Sequence, residues 1–343
     1  MEWVAAGAAV AIAALLSAAM TFFLASGRWR SLQVLDHPNA RSLHDRAVPR
    51  SGGLAVLAGW FAALLVIGPS LGFPPALGWL MAAVLLVASV SYWDDRHDLD
   101  SRLRLLVHLL AAGLLWVGGV RWELLGLPGT LIPLPPWVAL PLTVLYITWM
   151  LNLYNFMDGM DGLAGGMAAI GFGALAVLGF HGGDLVYGAV CAAVAAGALG
   201  FLSGNLPPAR IFLGDVGSSV LGLLAAGLTL WGASSAMFPL WVGWLIFSPF
   251  IVDATWTLLR RAWNRERIWE AHRSHHYQRL VLAGWGHRRT LVWAAVLIAA
   301  AAFSAVAGAR MSTAEQWQLL GAWCVVYALI HLRVGLAERR AQG

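Results

Sequence analysis

The sequence predicts an all-α, polytopic integral membrane protein, and three observations carry that prediction. Of its 343 residues, 60% are hydrophobic and only 11% charged, with a mean hydropathy of +0.72. That leaves too little polar surface for a water-soluble chain of this length. Eleven apolar segments can be marked, each near the length that crosses a bilayer as a helix. Threading them through a membrane puts all but two of the 22 basic residues on one side.

In chain order the segments cover residues 3–25, 52–69, 76–92, 104–120, 137–153, 163–180, 185–202, 217–233, 239–259, 291–308 and 316–333. No basic stretch precedes the first, so it is expected to be a retained span and not a removed signal peptide. Residues 1–343 therefore read as a single membrane domain. One side receives 26–51, 93–103, 154–162, 203–216, 260–290 and the C-terminal tail. Only Arg121 and Arg310 fall on the other. The positive-inside rule makes the first side cytoplasmic, the N-terminus periplasmic and the C-terminus cytoplasmic. Every basic residue is arginine, a side chain suited to bidentate pairing with phosphate or carboxylate. Cys191 and Cys324 lie in apolar runs and form no CxxC pattern, so they read as small packed hydrophobes.

The chemistry-bearing residues gather on the predicted cytoplasmic side. Asn152-Leu-Tyr-Asn-Phe-Met-Asp-Gly-Met-Asp-Gly-Leu-Ala-Gly-Gly166 sets two asparagines, two aspartates and four glycines between two apolar runs. At helical pitch Asn155, Asp158 and Asp161 fall within about a third of the circumference, which suits convergence on one ligand. The bland alternative is a Gly-rich turn with polar caps; two acids at the mouth of a membrane helix are costly for that purpose alone.

The first loop places Arg50 before Gly52 and Gly53 at a helix start, a pattern suited to an anion such as phosphate. Arg28 and Arg30 read instead as headgroup anchors. The second loop carries Asp94 and Asp95 at the end of a span. Asp98–Arg102 and Asp100–Arg104 follow at i,i+4 spacing, which suits structural pairing. Adjacent carboxylates point about 100° apart on a helix, so one can face a metal or nucleophile while the other is held by a partner.

In the fourth loop Asp215 stands between glycines at a helix start, as a ligand or as a simple N-cap. Asp94, Asp95, Asp158, Asp161 and Asp215 form an oxygen-only donor set suited to Mg²⁺ or Mn²⁺. In the last loop His272, His275 and His276 share one face if the segment is helical. With Arg273 beside them they suit a pyrophosphate better than zinc, since no cysteine accompanies them. A membrane-surface amphipathic segment is the plainer reading. His108 and His331, inside spans, read as structural, and Asp253 as a partner of Arg260 or a cap.

In order, these motifs are Asp-x-Pro-Asn-x-Arg…Pro-Arg-x-Gly-Gly (36–53), Asp-Asp-x-x-Asp-Leu (94–99), Asn-x-x-Asn-Phe-x-Asp-Gly-x-Asp-Gly-Leu (152–163), Phe-Leu-Gly-Asp-x-Gly-Ser (212–218) and the histidine loop (272–276). The ordered set resembles the polyprenyl-phosphate N-acetylhexosamine-1-phosphate transferases, the superfamily that includes the phospho-MurNAc-pentapeptide translocase. The resemblance covers Asp36 to about Arg289. It implies a bacterial inner-membrane enzyme that moves an N-acetylhexosamine-1-phosphate from a UDP-sugar to undecaprenyl phosphate and releases UMP. It further implies Mg²⁺ on Asp215, uracil on Phe212, Asn155 and Asp158 at the diphosphate and metal, Asp161 near the nucleotide, and the histidine loop over sugar or phosphates.

Asp94, Asp95 and Asp158 are then the catalytic candidates, with Asp94 or Asp95 as the base and an aspartyl intermediate as the alternative route. Asp98 replaces the translocase's lysine and points away from muramyl-pentapeptide. His275-His-Tyr-Gln replaces the common His-x-His-His and resembles a subgroup using 6-deoxy sugars such as FucNAc or QuiNAc. Expected partners are the UDP-sugar, undecaprenyl phosphate and membrane lipid; no nucleic acid is expected, and a homodimer is left open. The rival class is a non-enzymatic carrier of a lipid or divalent cation. The sequence has no internal repeat, and its acids sit at a membrane edge and not mid-bilayer, both of which weigh against that class.

Overall fold

The computed structural model describes residues 1–28, 32, 34–36, 47–97, 99–267 and 272–342. Arg30, the His37–Arg46 part of the first motif, and Asp98 with its Arg102 pairing lie outside the described residues. The helices are α1 (Glu2–Ala25), α2 (Gly52–Leu71), α3 (Pro75–His97), α4 (Ser101–Val117), α5 (Pro136–Phe156) and α6 (Leu163–His181). They continue as α7 (Leu185–Asn205), α8 (Gly214–Ser234), α9 (Leu240–Trp263), the short α10 (His276–Leu280), α11 (Gly286–Gly308) and α12 (Thr313–Gln342).

Among the described residues, ten helices are long and apolar enough to cross a membrane. The predicted fourth span is the difference, because α4 has 17 residues and opens with Arg102 and Arg104 in its first turn. Its length still sits at the short end of the crossing range, about 17–25 residues. The two strand pairs are small and antiparallel. β1 (Leu35–Asp36) pairs with β2 (Val48–Pro49). β3 (Leu124–Leu127) pairs with β4 (Thr130–Pro133) across Pro128-Gly129, a hairpin where the sequence suggested only a loop.

α8 is the centre of the bundle, with nearly every residue buried against α2, α3 and α5. Lipid tails are as apolar as the helices, so close packing of small residues is what holds such a bundle together. Gly53 in α2 shows it: a Cβ there would stand 2.3 Å from the Gly217 nitrogen of α8. α1 seats against α2 and α7 in the same way, and the Ser17 hydroxyl donates to the Gly197 carbonyl at 2.7 Å. α12 lies at the opposite extreme and is largely exposed.

Candidate active site

Where α3, α4, α5 and α8 meet, their polar ends enclose a pocket of about 140 Å³. Its polar lining includes Asp94, Arg104, His108, Asn152, Asn155 and Asp215. The elements place these groups for simple reasons. The last turn of α3 carries Asp94-Asp95, and both carboxylates are buried. Asp94 Oδ2 pairs with Arg104 Nη1 at 3.1 Å, and its Oδ1 accepts the Leu99 N–H at 2.7 Å. Asp95 Oδ1 lies 3.3 Å from Arg50 Nε, while the Asp95 carboxylate faces the first N–H groups of α8, Asp215 and Val216, at 3.4 Å each. A carboxylate at a helix N-terminus is favoured by the helix dipole. Asp95 is thus fixed between α2, α3 and α8, and of the two adjacent acids only Asp94 lines the pocket.

The partners differ from those the sequence suggested. Arg104 pairs with Asp94 and not with Asp100, whose carboxylate instead caps α4 by accepting the Arg102 N–H at 2.9 Å. Arg50 lies on Asp95. The N–H groups of Gly52 and Gly53 are committed to the carbonyls of Phe212 and Leu213 at 2.9 and 2.7 Å. The glycine pair therefore serves a close approach between chain segments, and its N–H groups are not open to a phosphate. The Phe212 backbone is held from both sides, its own N–H donating to the Pro49 carbonyl at 2.7 Å.

Asn155, Asp158 and Asp161 do not share a helical face, because α5 stops at Phe156. Asn152 and Asn155, one turn apart on α5, face the pocket together. Asp158 follows in the turn, half-buried. Burial and the nearby charges of Asp215, Asp95 and Asp36 push its carboxyl well above the usual carboxylate range. Asp161 points elsewhere: it accepts the Ala209 N–H at 3.1 Å and meets His287 Nδ1 at 3.4 Å. Beside it the Gly162 N–H donates to the Asn205 side-chain oxygen at 2.9 Å, so this turn is stitched to the α7–α8 connection.

The histidines also lie differently. Only His276 begins a helix, with His275 as its N-cap, so His272, His275 and His276 do not occupy one face. Asp253, on α9, organises them. Its Oδ1 accepts the His276 N–H at 2.8 Å and lies 3.0 Å from His276 Nδ1 and 3.5 Å from His275 Nδ1, while Oδ2 faces the Tyr277 N–H at 3.4 Å. The sequence suggested a partner for Arg260 or a cap on a break; α9 instead runs unbroken through Asp253, which holds the N–H groups at the start of α10.

His276 turns away to His331, Nε2 to Nδ1 at 3.1 Å, whereas His275 stacks on Phe156 with ring centres 6.1 Å apart. His272 packs on His275 at 4.9 Å. Burial, His275 and the Arg260 and Arg261 guanidiniums push its imidazole down to about 4, so it stays neutral at pH 7. Arg273 is exposed. The Tyr277 hydroxyl donates to the Phe156 carbonyl at 3.0 Å and rests on Gly159, where a Cβ would come within 2.2 Å of it. Tyr277 thus ties the histidine loop to the turn carrying Asn155 and Asp158. The Gln278 side chain accepts the His275 N–H at 3.2 Å.

Removing Asp253 should show how much this anchor carries. Asp253→Ala leaves buried N–H groups without an acceptor, at about 1–3 kcal/mol each. The expected result is a lowered Tm and faster tryptic cleavage after Arg267 and Arg273. Unchanged cleavage would mean that the loop is held by other contacts.

Of the charged and imidazole groups lining the pocket, Arg104 and His108 were not recognised as such from the sequence. They stand one turn apart on α4, a pairing of base and imidazole at the start of a span that could have drawn attention to both. Among the described residues no three carboxylate, imidazole or thiol groups are arranged to hold a metal on their own. The donor chemistry nonetheless suits a hard cation. Mg²⁺ takes one or two carboxylates and completes its shell with water and substrate phosphate. Asp94 and Asp215 could supply the carboxylates and the asparagines amide oxygens, and the acids around Asp158 add negative charge that suits a cation.

Comparison with known proteins fits this geometry. Residues 77–233 match glycosyl transferase family 4. The chain is similar to a probable undecaprenyl-phosphate N-acetylglucosaminyl 1-phosphate transferase of Bacillus subtilis (strain 168), 32% identical over 261 residues, 75% of this chain and 72% of that protein. It is 31% identical over 363 residues to a decaprenyl-phosphate N-acetylglucosaminephosphotransferase of Mycolicibacterium smegmatis, covering 96% of this chain and 89% of that one. A phospho-N-acetylmuramoyl-pentapeptide-transferase of Shouchella clausii is 30% identical over 260 residues, 71% of this chain and 78% of its own.

Proposed function

The chain belongs to glycosyl transferase family 4, and on that premise we propose that it transfers an N-acetylhexosamine-1-phosphate from a UDP-sugar to undecaprenyl phosphate. The observation that carries this reading is the acid-lined pocket at one end of a membrane bundle, with Asp94, Asn155 and Asp215 converging beside Arg104. A volume of about 140 Å³ suits reacting phosphate groups and their counter-ion, with nucleotide and sugar extending over the loops. The arginine asymmetry supports a cytoplasmic site in a bacterial inner membrane, where UDP-sugars are available.

In the reaction a lipid phosphate oxygen attacks the sugar-bearing phosphorus of the UDP-sugar. The bond from that phosphorus to the bridging oxygen breaks, and UMP leaves. Negative charge meets negative charge, so the site must neutralise it. Asp215 and Asp94 would hold Mg²⁺ or Mn²⁺ with the asparagine amides; such an ion supplies charge neutralisation at the phosphoryl oxygens.

Arg104 is placed to hold Asp94 and to face phosphate. The lipid monoester loses its second proton near pH 6, by analogy with phosphorylated side chains. Only modest help from a base is then needed; both acids have partners, and Asp94 is the better placed candidate because it lines the pocket and Asp95 does not. Direct attack is the simpler course; an aspartyl intermediate on Asp158 is the alternative. Incubating purified protein with UDP-GlcNAc, undecaprenyl phosphate and Mg²⁺ tests the reading by UMP release; absence of UMP with every N-acetylhexosamine donor would overturn it.

The sugar is to be settled in the same assay by comparing UDP-GlcNAc with UDP-FucNAc and UDP-QuiNAc. Tyr277 and Gln278, which suggested a 6-deoxy sugar, make hydrogen bonds inside the protein. They would act on the sugar through the position of His275 and not by touching it. If Phe212 stacks on uracil, Phe212→Ala raises KM for the UDP-sugar by about 5- to 150-fold, from roughly 1–3 kcal/mol of base stacking, with kcat little changed. An unaltered KM would leave Phe212 a packing residue.

A further inference from the structure

A second cavity, about 900 Å³, opens between α11 and α12 against α9 and α10. Its walls include Phe250, Trp293, Leu297, Trp323, Leu329 and Ile330, and Arg289, Arg333 and Arg340 also line it. We propose that this slot binds an anionic phospholipid, acyl chains between α11 and α12 and phosphate on Arg289, Arg333 and Arg340.

The two helices barely pack on one another. α12 is held instead by polar pins: Arg279 Nη2 on Glu338 at 2.5 Å, His276 on His331 at 3.1 Å, and the Ser248 and Tyr327 hydroxyls 2.5 Å apart. A space of this size between apolar walls in a bilayer is filled by lipid chains, since neither vacuum nor water satisfies it.

The charge at its end selects the headgroup. Arg289 and Arg340 stand near opposite termini of antiparallel neighbours, which brings them to the same end of the bundle, and Arg333 lies two turns back along α12. All three are exposed, and among the described residues none forms an ion pair with a carboxylate. The acid nearest them in sequence, Glu338, is already taken by Arg279. The Arg289 guanidinium lies over the Trp285 ring, 4.1 Å from its centre. Three guanidiniums without carboxylates, above an apolar slot, complement a phosphate carrying two acyl chains.

The occupant is not the reacting lipid. The slot and the acid-lined pocket share no lining residue. A phosphate held by these arginines therefore sits apart from Asp94, Asn155 and Asp215 and cannot be the attacking group. The slot's inner wall does include His276 and Tyr277. Asp253, which anchors that loop, lines the slot as well, so occupancy would brace the loop and its anchor against the Phe156 contact.

Binding can be read without substrate, so the test stands apart from the transferase reading. Delipidated protein is reconstituted into nanodiscs of equal parts phosphatidylcholine and phosphatidylglycerol, and retained lipid is counted by native mass spectrometry. The expected result is one preferentially retained phosphatidylglycerol. Its preference should fall at least tenfold in the Arg289→Gln/Arg333→Gln/Arg340→Gln variant, since each arginine near an anionic headgroup contributes about fivefold. It should not fall in an Arg265→Gln control, whose arginine does not line the slot.

Ile330→Trp, which plugs the slot while leaving every charge in place, should also reduce retention, so the test holds even if the triple variant fails to fold. Equal retention in wild type and Ile330→Trp would overturn the proposal. So would one-for-one displacement of the bound phosphatidylglycerol by undecaprenyl phosphate, which would make the slot the acceptor's.

Discussion

Asp215→Asn is expected to lower turnover by about a thousandfold, the upper end of what losing one charge-stabilising group at a reacting centre costs, while Tm stays near wild type. Asp215 occupies the first turn of α8 and lines the pocket with Asp94 and Asn155. The fold does not require its charge, because the cap at this helix start is the Asp95 carboxylate. Asparagine keeps the shape and one oxygen but removes the charge that would hold a cation. Chelating divalent ions from the wild type should reproduce the loss, and Mg²⁺ or Mn²⁺ should restore the wild type but not the variant. Wild-type turnover by Asp215→Asn at saturating Mg²⁺ would remove Asp215 from the metal site.

The spans were legible because about 20 apolar residues leave the backbone no other way to satisfy itself in lipid. α4 is the marginal case for a visible reason, since two arginines intrude on its first turn. The site was legible in its membership more than in its pairing. Asp94, Asn155 and Asp215 do converge, yet their arginine partners come from positions that no local spacing rule links. Arg104 reaches Asp94 across the α3–α4 turn, and Arg50 reaches Asp95 from the start of α2.

Helical spacing misled twice, at Asn155–Asp161 and at His272–His276, because it assumes a helix that the chain does not form there. In the second case the helix start is set by Asp253, more than twenty residues earlier on α9, a tertiary contact with no signature in the loop itself. The Gly52-Gly53 pair suited a phosphate cradle equally well on paper. What the pair contacts, the Phe212 and Leu213 carbonyls and Gly217, comes from a segment distant in sequence.

The same close approach of the α2 and α8 starts makes Gly214 the most constrained backbone position of the site, and Gly214→Ala should damage stability and activity together. Gly214 has φ +76°, a left-handed conformation that costs a residue with a Cβ about 1–2 kcal/mol. The added Cβ would also stand 2.0 Å from the Arg50 carbonyl oxygen and 3.2 Å from Asp95 Oδ2. A backbone oxygen cannot swing aside as a side chain can, so either α2 or the start of α8 must move.

Such a shift separates the first N–H groups of α8 from Asp95 and carries Asp215 away from Asp94. We expect a loss of at least about 2 kcal/mol, from left-handed strain plus the displaced contact, read as a drop in Tm. Turnover should fall by more than tenfold, since misplacement of about 1 Å can cost a hundredfold. Gly173→Ala on α6, where an added Cβ meets nothing within 4 Å, is the control and should be neutral or slightly stabilising, because alanine is the better helix former. A Gly214→Ala protein with wild-type Tm and turnover would mean that α2 and α8 do not approach as closely as the Arg50 carbonyl and Gly214 require.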